Sequence, residues 1–359
     1  MKKQESHPYK SLPEKAFWRR SVATPRPANV DPVGEFNIRI RADTKVATAG
    51  SCFAQHIARH LKGSGYCYYV AEQGHSILPA NARARQNYGL FSCRYGNIYT
   101  ARQLRQLIER AYDRFVPAEE AWKKAASVFV DPFRPTTQPG GYISREELLA
   151  DRAQHLAAVR RMFETLDVFV FTLGLTECWR SKEDGAVFPV CPGVEGGRFD
   201  PKKYEFYNQS VEDVTDDLVA FRDALHAVNP KAQIILTVSP VPLVATAQPG
   251  EHVLSATTYS KSVLRVAAET IRRRFENVHY FPSYEIITGA FNRGAYYADD
   301  LRNVVEDGVD HVMRLFLAHS TGGDAAAPDE HEPAADEDEH LDLARRMIEV
   351  ECDEVALDR

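Results

Sequence analysis

The sequence predicts an α/β protein built on a parallel sheet with helices on both faces. Three observations predict it. Short runs such as Asp167–Leu173 and Gln233–Val238 are apolar without alternation, as strands buried on both faces must be. Amphipathic helical patterns separate those runs. Each run also ends in a block rich in Gly, Ser or Pro, which stops a strand and turns the chain.

Taken in order, residues 1–43 hold five prolines and many charges and read as an extended arm. Lys45–Ala49 is a buried strand ending at Gly50. It feeds a helix with Phe53, Ile57 and Leu61 at four-residue spacing, stopped by Gly63 and Gly65. Tyr66–Val70 has strand composition, and 71–99 reads as a long structured loop. Helices are expected near 100–115, 119–126 and 144–165, with Asp131–Pro135 as rigid connecting chain. After the strand at Asp167–Leu173 comes an irregular Pro/Gly-rich excursion, Phe188–Asp200. A helix at Val211–Val228, the strand Gln233–Val238, a helix at Tyr259–Arg274, a strand at Val278–Phe281 and a closing helix at Val304–Leu317 follow. The body is thus expected at 44–317, as one sheet decorated by insertions at roughly 71–165 and 180–210. The remaining 318–359 reads as an acidic, largely disordered tail in which 341–357 has the pattern of a short helix.

Composition excludes several classes. The 359 residues include 37 aromatics and are 44% hydrophobic, which rules out a wholly disordered chain. The net charge of −6 is unevenly placed: 324–359 carries 14 acidic against 3 basic residues, a balance of −11, which leaves +5 on the rest. That mild excess suits a small anionic ligand and does not mark a nucleic-acid binder. The longest apolar-rich stretch, Ile234–Ala247, is broken by Pro240 and Pro242, so no membrane span is expected. The start, Met1–His7, lacks the apolar core of a signal peptide. The six cysteines form no CxxC pair. A reducing cytoplasm is the expected compartment.

In an open parallel sheet ligands gather at the carboxyl ends of the strands. The first such end is Gly50-Ser51-Cys52-Phe53-Ala54. A serine there sits near a helix N-terminus, where the dipole and free N–H groups favour developing negative charge. The residues alone leave Ser51 open as a nucleophile or as a helix N-cap, and spacing favours the cap. Cys52 is a second candidate, since a thiolate at a helix N-terminus is stabilised. Gly193-Val194-Glu195-Gly196-Gly197 lacks both the strand-to-helix setting and the trailing Lys-Ser/Thr of a phosphate loop.

Gly50-Ser51-Cys52-Phe53-Ala54 resembles, letter for letter, the motif that names the GSCFA family. Gly174-Leu175-Thr176-Glu177 and Ser239-Pro240-Val241-Pro242 fall where that family has its later signatures, and the similarity runs from about Thr44 to Leu317. The family is similar to the SGNH/GDSL hydrolases. The resemblance therefore implies a three-layer, flavodoxin-like sheet and an enzyme that hydrolyses or transfers acyl esters, often on carbohydrates. It implies Ser51 as the nucleophile, and an oxyanion hole to which Gly96-Asn97 and Gly174 would contribute. Where the family of hydrolases reads Gly-x-Asn-Asp, this chain offers Thr176, a donor of shorter reach.

The base is the departure. SGNH enzymes close with Asp-x-x-His, and here the matching stretch is Asp299-Asp300-Leu301-Arg302-Asn303. Neither arginine nor an amide accepts a proton at neutral pH. His252, just after the fourth-strand block, is the preferred substitute, with Glu177 or Asp300 orienting its ring. His311, one turn after Asp307, is the second candidate. His56 and His60, four apart on the first helix, make a weak metal pattern, and no metal site is expected. The leading expectation is a serine esterase or O-acyltransferase on a glycan or other small-molecule hydroxyl in polysaccharide assembly. It would have no resident cofactor, and a transferase would take an acyl donor such as acetyl-CoA. The alternative is an SGNH-like glycan- or partner-binding module that has lost its base.

Overall fold

The computed structural model describes residues 7–51 and 53–321; Cys52 and everything from 322 onward, including the expected helix at 341–357, lie outside the described residues. A four-stranded parallel sheet forms the centre, in the order β1 (Val46–Gly50), β4 (Val168–Leu173), β8 (Gln233–Val238) and β9 (Val278–Tyr280). Val46 pairs with Val168, Val168 with Gln233 and Ile234 with Val278 in unbroken register. These strands are buried on both faces, which is why their sequences read as continuous apolar runs.

Alternate residues of each strand serve different layers. Ala47, Ala49, Phe169, Phe171, Ile234 and Leu236 pack under α3 (Ala101–Ala111), α4 (Arg145–Thr165), α5 (Val211–Val228) and α6 (Val253–Arg274). Val46, Val168, Val170 and Ile235 face α1 (Phe53–Gly63), α7 (Ser283–Thr288), α8 (Glu306–Thr321) and the inner arm. The molecule is thus a three-layer α/β fold of flavodoxin type. Thr100 and Ser210 each close a capping box at the start of α3 and α5, and Ser144 caps α4.

The segment 66–70 has strand composition but makes only one parallel bridge, Tyr68 to Val46, on the outer side of β1. Cys67 and Tyr69 nonetheless exchange hydrogen bonds with Val46 at 3.1 and 2.8 Å. The chain therefore steps from β1 to one side at 66–70 and to the other at β4. That reversal puts the topological switch point between the ends of β1 and β4.

Several elements depart from the sequence reading. Residues 119–126 are not a helix: β2 (Trp122–Ala125) pairs antiparallel with β3 (Val128–Val130). Helix propensity loses there to burial of Trp122 against Phe188, 5.0 Å between rings. The excursion after β4 holds a second, antiparallel sheet, with β5 (Glu177–Ser181) between β6 (Val187–Phe188) and β7 (Tyr204–Asn208). Trp122, Val130, Phe188 and Tyr204 form a small core joining this sheet to the hairpin. A short α2 (Ala80–Arg85) interrupts the 71–99 loop, α6 starts at Val253 rather than Tyr259, α7 was not expected, and α8 runs to Thr321. The arm is extended only in part. Short 3-10 or π turns occupy much of Pro8–Asn29, and Val30, Val33, Phe36, Ile38 and Ile40 are buried beside α8.

Gly50 is the tightest point of the sheet. Its φ is +142°, and a Cβ there would lie 2.5 Å from the Thr172 carbonyl oxygen and 2.8 Å from Thr172 Cβ. A side chain at 50 thus meets both steric overlap and a backbone conformation that L residues avoid. Gly50→Ala is expected to cost about 3 kcal/mol in urea unfolding. Gly34→Ala, where a Cβ meets nothing within 4 Å, is the control expected to change little.

Candidate active site

Three strand-end blocks converge on one edge, and a loop block, Gly96–Asn97, joins them there. Gly50 pairs with Thr172, Gly174 follows the end of β4, and Ser239 N–H donates to the Leu173 carbonyl at 2.8 Å. The second block arrives from the loop side. Ile98 N–H donates to the Gly50 carbonyl at 2.9 Å, and the Tyr99 carbonyl accepts from Gly174 and Leu175 N–H at 2.9 and 3.0 Å. Gly96, at φ +68°, supplies the turn that lets this segment cross the sheet edge. Asn97, beside it, is buried.

Ser51 lies at the mouth of the switch point. It is only 3% exposed, its N–H reaches the Thr172 carbonyl at 3.4 Å, and its own carbonyl accepts from Ala54 N–H at 2.8 Å. Among the described residues its Oγ has no hydrogen-bond partner and caps no N–H of α1. Thr172 Oγ1, on the adjacent strand end, and Gln55 Oε1, one turn into α1, are likewise buried without partners. Buried polar atoms are ordinarily paired, and clustered exceptions mark a place for a ligand or ordered water.

The third block is less open than expected. Gly174 N–H is used by Tyr99, and Thr176 Oγ1 donates to Asn208 Oδ1 at 2.6 Å while Thr176 N–H donates to Ser260 Oγ at 3.0 Å. Both groups are committed to the scaffold. The Glu177 carboxylate accepts from Thr246 Oγ1 at 2.6 Å and from Ala247 N–H at 3.3 Å. Burial nevertheless raises its pKa above the ordinary carboxylate value.

The expected relay through His252 is not formed. His252 is exposed, and its Nδ1 accepts from Leu254 N–H at 3.1 Å as the N-cap of α6. No hydrogen bond joins it to Ser51, Glu177 or Asp300 among the described residues. Asp300 is exposed and closes its own turn, accepting from Arg302 N–H at 3.0 Å, Asn303 N–H at 2.9 Å and Asn303 Nδ2 at 2.6 Å. Asn303 thus sits against Asp300 where an Asp–His pair would stand. This loop packs on the fourth block through Tyr297 Oη to the Pro240 carbonyl and Arg302 Nε to the Pro242 carbonyl, 2.8 and 3.3 Å. His311 is a buried strut, bonded to Tyr296 Oη at 2.8 Å and the Val30 carbonyl at 2.9 Å, and burial lowers its pKa.

Sequence reasoning missed Lys261. Its side chain is 1% exposed, and Nζ donates to the Gly174 carbonyl at 2.7 Å. The signal was present: Lys261 falls on the same helical stripe as Leu264 and Ala268, which face the core.

On α1, His60 meets Asp310 at 3.3 Å, and His60, Glu306 and Asp310 bring ligand atoms within 4.8 Å of one another. Arg59 already holds Glu306 at 2.6 Å, so the group is an ion-paired surface between α1 and α8. His56 beside it has a pKa lowered to about 4, first by burial and then by Arg59. Below pH 6.5 the unfolded chain takes up a proton that the folded imidazole refuses. Stability is therefore full above pH 6.5 and falls as pH drops toward 4, by on the order of 2 kcal/mol from this group. Guanidinium melts at pH 7 and pH 4.5 should show a smaller drop for His56→Gln than for the natural protein, and parallel drops would contradict the assignment.

The GSCFA family model matches residues 45–316, from the start of the first strand to the closing helix. No curated protein matches the chain. The match covers most of the sequence and contains every strand-end block described above, so the chain belongs to the GSCFA family.

Proposed function

We propose that this protein is a serine acyl-ester hydrolase or O-acyltransferase that acts on a carbohydrate hydroxyl in polysaccharide assembly. The observation that carries the reading is the Ser51 hydroxyl, buried with no partner among the described residues at the switch point of the sheet. A hydroxyl already stripped of hydrogen bonds gives up none on attacking an acyl carbonyl. The N-terminal turn of α1 favours the negative charge that then develops. The chain would need no resident cofactor, since the chemistry is carried by side chains, and a transferase would draw its acyl group from a donor such as acetyl-CoA. No helix of the described residues is long and apolar enough to cross a membrane.

One observation favours a second reading, a glycan-binding module. Asn303 locks Asp300 through its amide, a contact that holds the loop in shape and moves no proton. Turnover of an aryl acetate separates the two. The enzyme reading expects Ser51→Ala to fold normally and lose at least about a hundredfold in kcat/KM. Equal turnover in both proteins, together with retained glycan binding, would favour the module.

A further inference from the structure

Acyl transfer from Ser51 needs a group to take its proton, and no described histidine is bonded to that serine. We infer that Lys261 is this proton acceptor, an inference that rests on the acyl-transfer reading of Ser51.

Three observations place the amine. Ser260 Oγ accepts from Thr176 N–H at 3.0 Å, which fixes the register of α6 against the turn after β4. The next residue, Lys261, then projects Nζ onto the Gly174 carbonyl at 2.7 Å. Ser51 N–H meets the Thr172 carbonyl, on the same strand two residues earlier, at 3.4 Å. Two residues of extended chain span about 7 Å, about the length of a lysine side chain, so the carbonyl that holds Nζ and the carbonyl that holds the Ser51 N–H are near neighbours along one segment. Lys261 is also the one buried lysine among the residues whose burial is described. Burying an amine where a methionine would fill the same space brings little stability of its own.

The step balances without another reactant. The uncharged Nζ takes the proton from Ser51 Oγ as the Oγ–carbon bond forms and the carbonyl π pair moves onto oxygen. The new ammonium stands beside that oxyanion. When the tetrahedral centre collapses, the carbon–oxygen bond to the leaving alcohol breaks and its oxygen takes the proton back from Nζ. Water or an acceptor hydroxyl then repeats the sequence on the acyl-serine. Serine–lysine pairs do this work on unrelated folds, so the chemistry requires no histidine.

The test uses the full chain, with hydrolysis of an aryl acetate as readout for the natural protein, Ser51→Ala, Lys261→Met, Lys261→Arg and Lys261→Ala. Lys261→Met should lose at least about a hundredfold in kcat with little change in KM, while its melting temperature stays level or rises. Lys261→Arg keeps a cation in place but should be equally inactive, because guanidinium does not release its proton. Added methylamine should restore part of the activity of Lys261→Ala and none of that of Ser51→Ala. Should Lys261→Met not fold, the arginine variant and the amine rescue decide. If Lys261→Met and Lys261→Arg keep turnover that Ser51→Ala loses, the lysine assignment is overturned and the acyl-transfer reading stands. If Ser51→Ala keeps full turnover, the reading of Ser51 itself is overturned and the pairing goes with it.

Discussion

Parallel strands end in carbonyls and N–H groups that no neighbour satisfies, and at the ends of β1 and β4 one short segment satisfies both. Ile98 donates to the Gly50 carbonyl, and the Tyr99 carbonyl accepts from Gly174 and Leu175. The segment is held from below as well. Ser92 Oγ accepts from Thr48 N–H at 2.9 Å, and Tyr95 Oη donates to the Thr48 carbonyl. Without this crossing strap the strand ends would need water, and the switch point would open into a wet groove. With it, Ser51 sits buried between two blocks far apart in sequence.

The strap is in turn anchored by a buried charge network. Arg94, two residues before Gly96, donates to the Gln86 and Thr137 carbonyls, Gln138 Oε1, Tyr88 Oη and Asp151. Its backbone N–H donates to Glu72, which is held to a pKa of about 2. Burial pushes that carboxyl up, but its pairing with His155 and the charge of Arg134 outweigh the burial. Asp131 is wholly buried between Arg134 and Arg152, at 3.0 and 2.8 Å. Such a network adds little net stability when whole, but removing one member strands a charge at a cost of several kcal/mol. The return is geometric: the 71–99 excursion, α4 and the sheet edge are locked in one arrangement. The insertions are the scaffold of the second block.

The sequence made the central sheet legible because a strand buried on both faces has to be apolar throughout, as Val168–Leu173 and Gln233–Val238 are. The hairpin at 122–130 and the sheet at 177–208 were not legible. Each buries mainly one side against aromatic neighbours, and Lys123, Lys124 and the glycines around 193–197 hide the alternation. Strand-end logic was enough to put Gly50, Gly174 and Ser239 on one edge of the sheet, since the end of a buried strand fixes where its next residues stand. It failed for His252, because α6 begins six residues before its pattern becomes clear and the histidine is spent capping it. The burial of Lys261 was hidden because a lysine reads as solvated unless its register against Leu264 and Ala268 is taken seriously.

The central claim is that the hydroxyl at the switch point is the reacting group. Treatment with a fluorophosphonate, with loss of fluoride and transfer of the phosphonyl group to the nucleophile, reads this directly by peptide mapping. The account predicts a single phosphonyl group per chain, on Ser51. An adduct on Cys52 or another residue, or no adduct under conditions that label a serine esterase to completion, would contradict it.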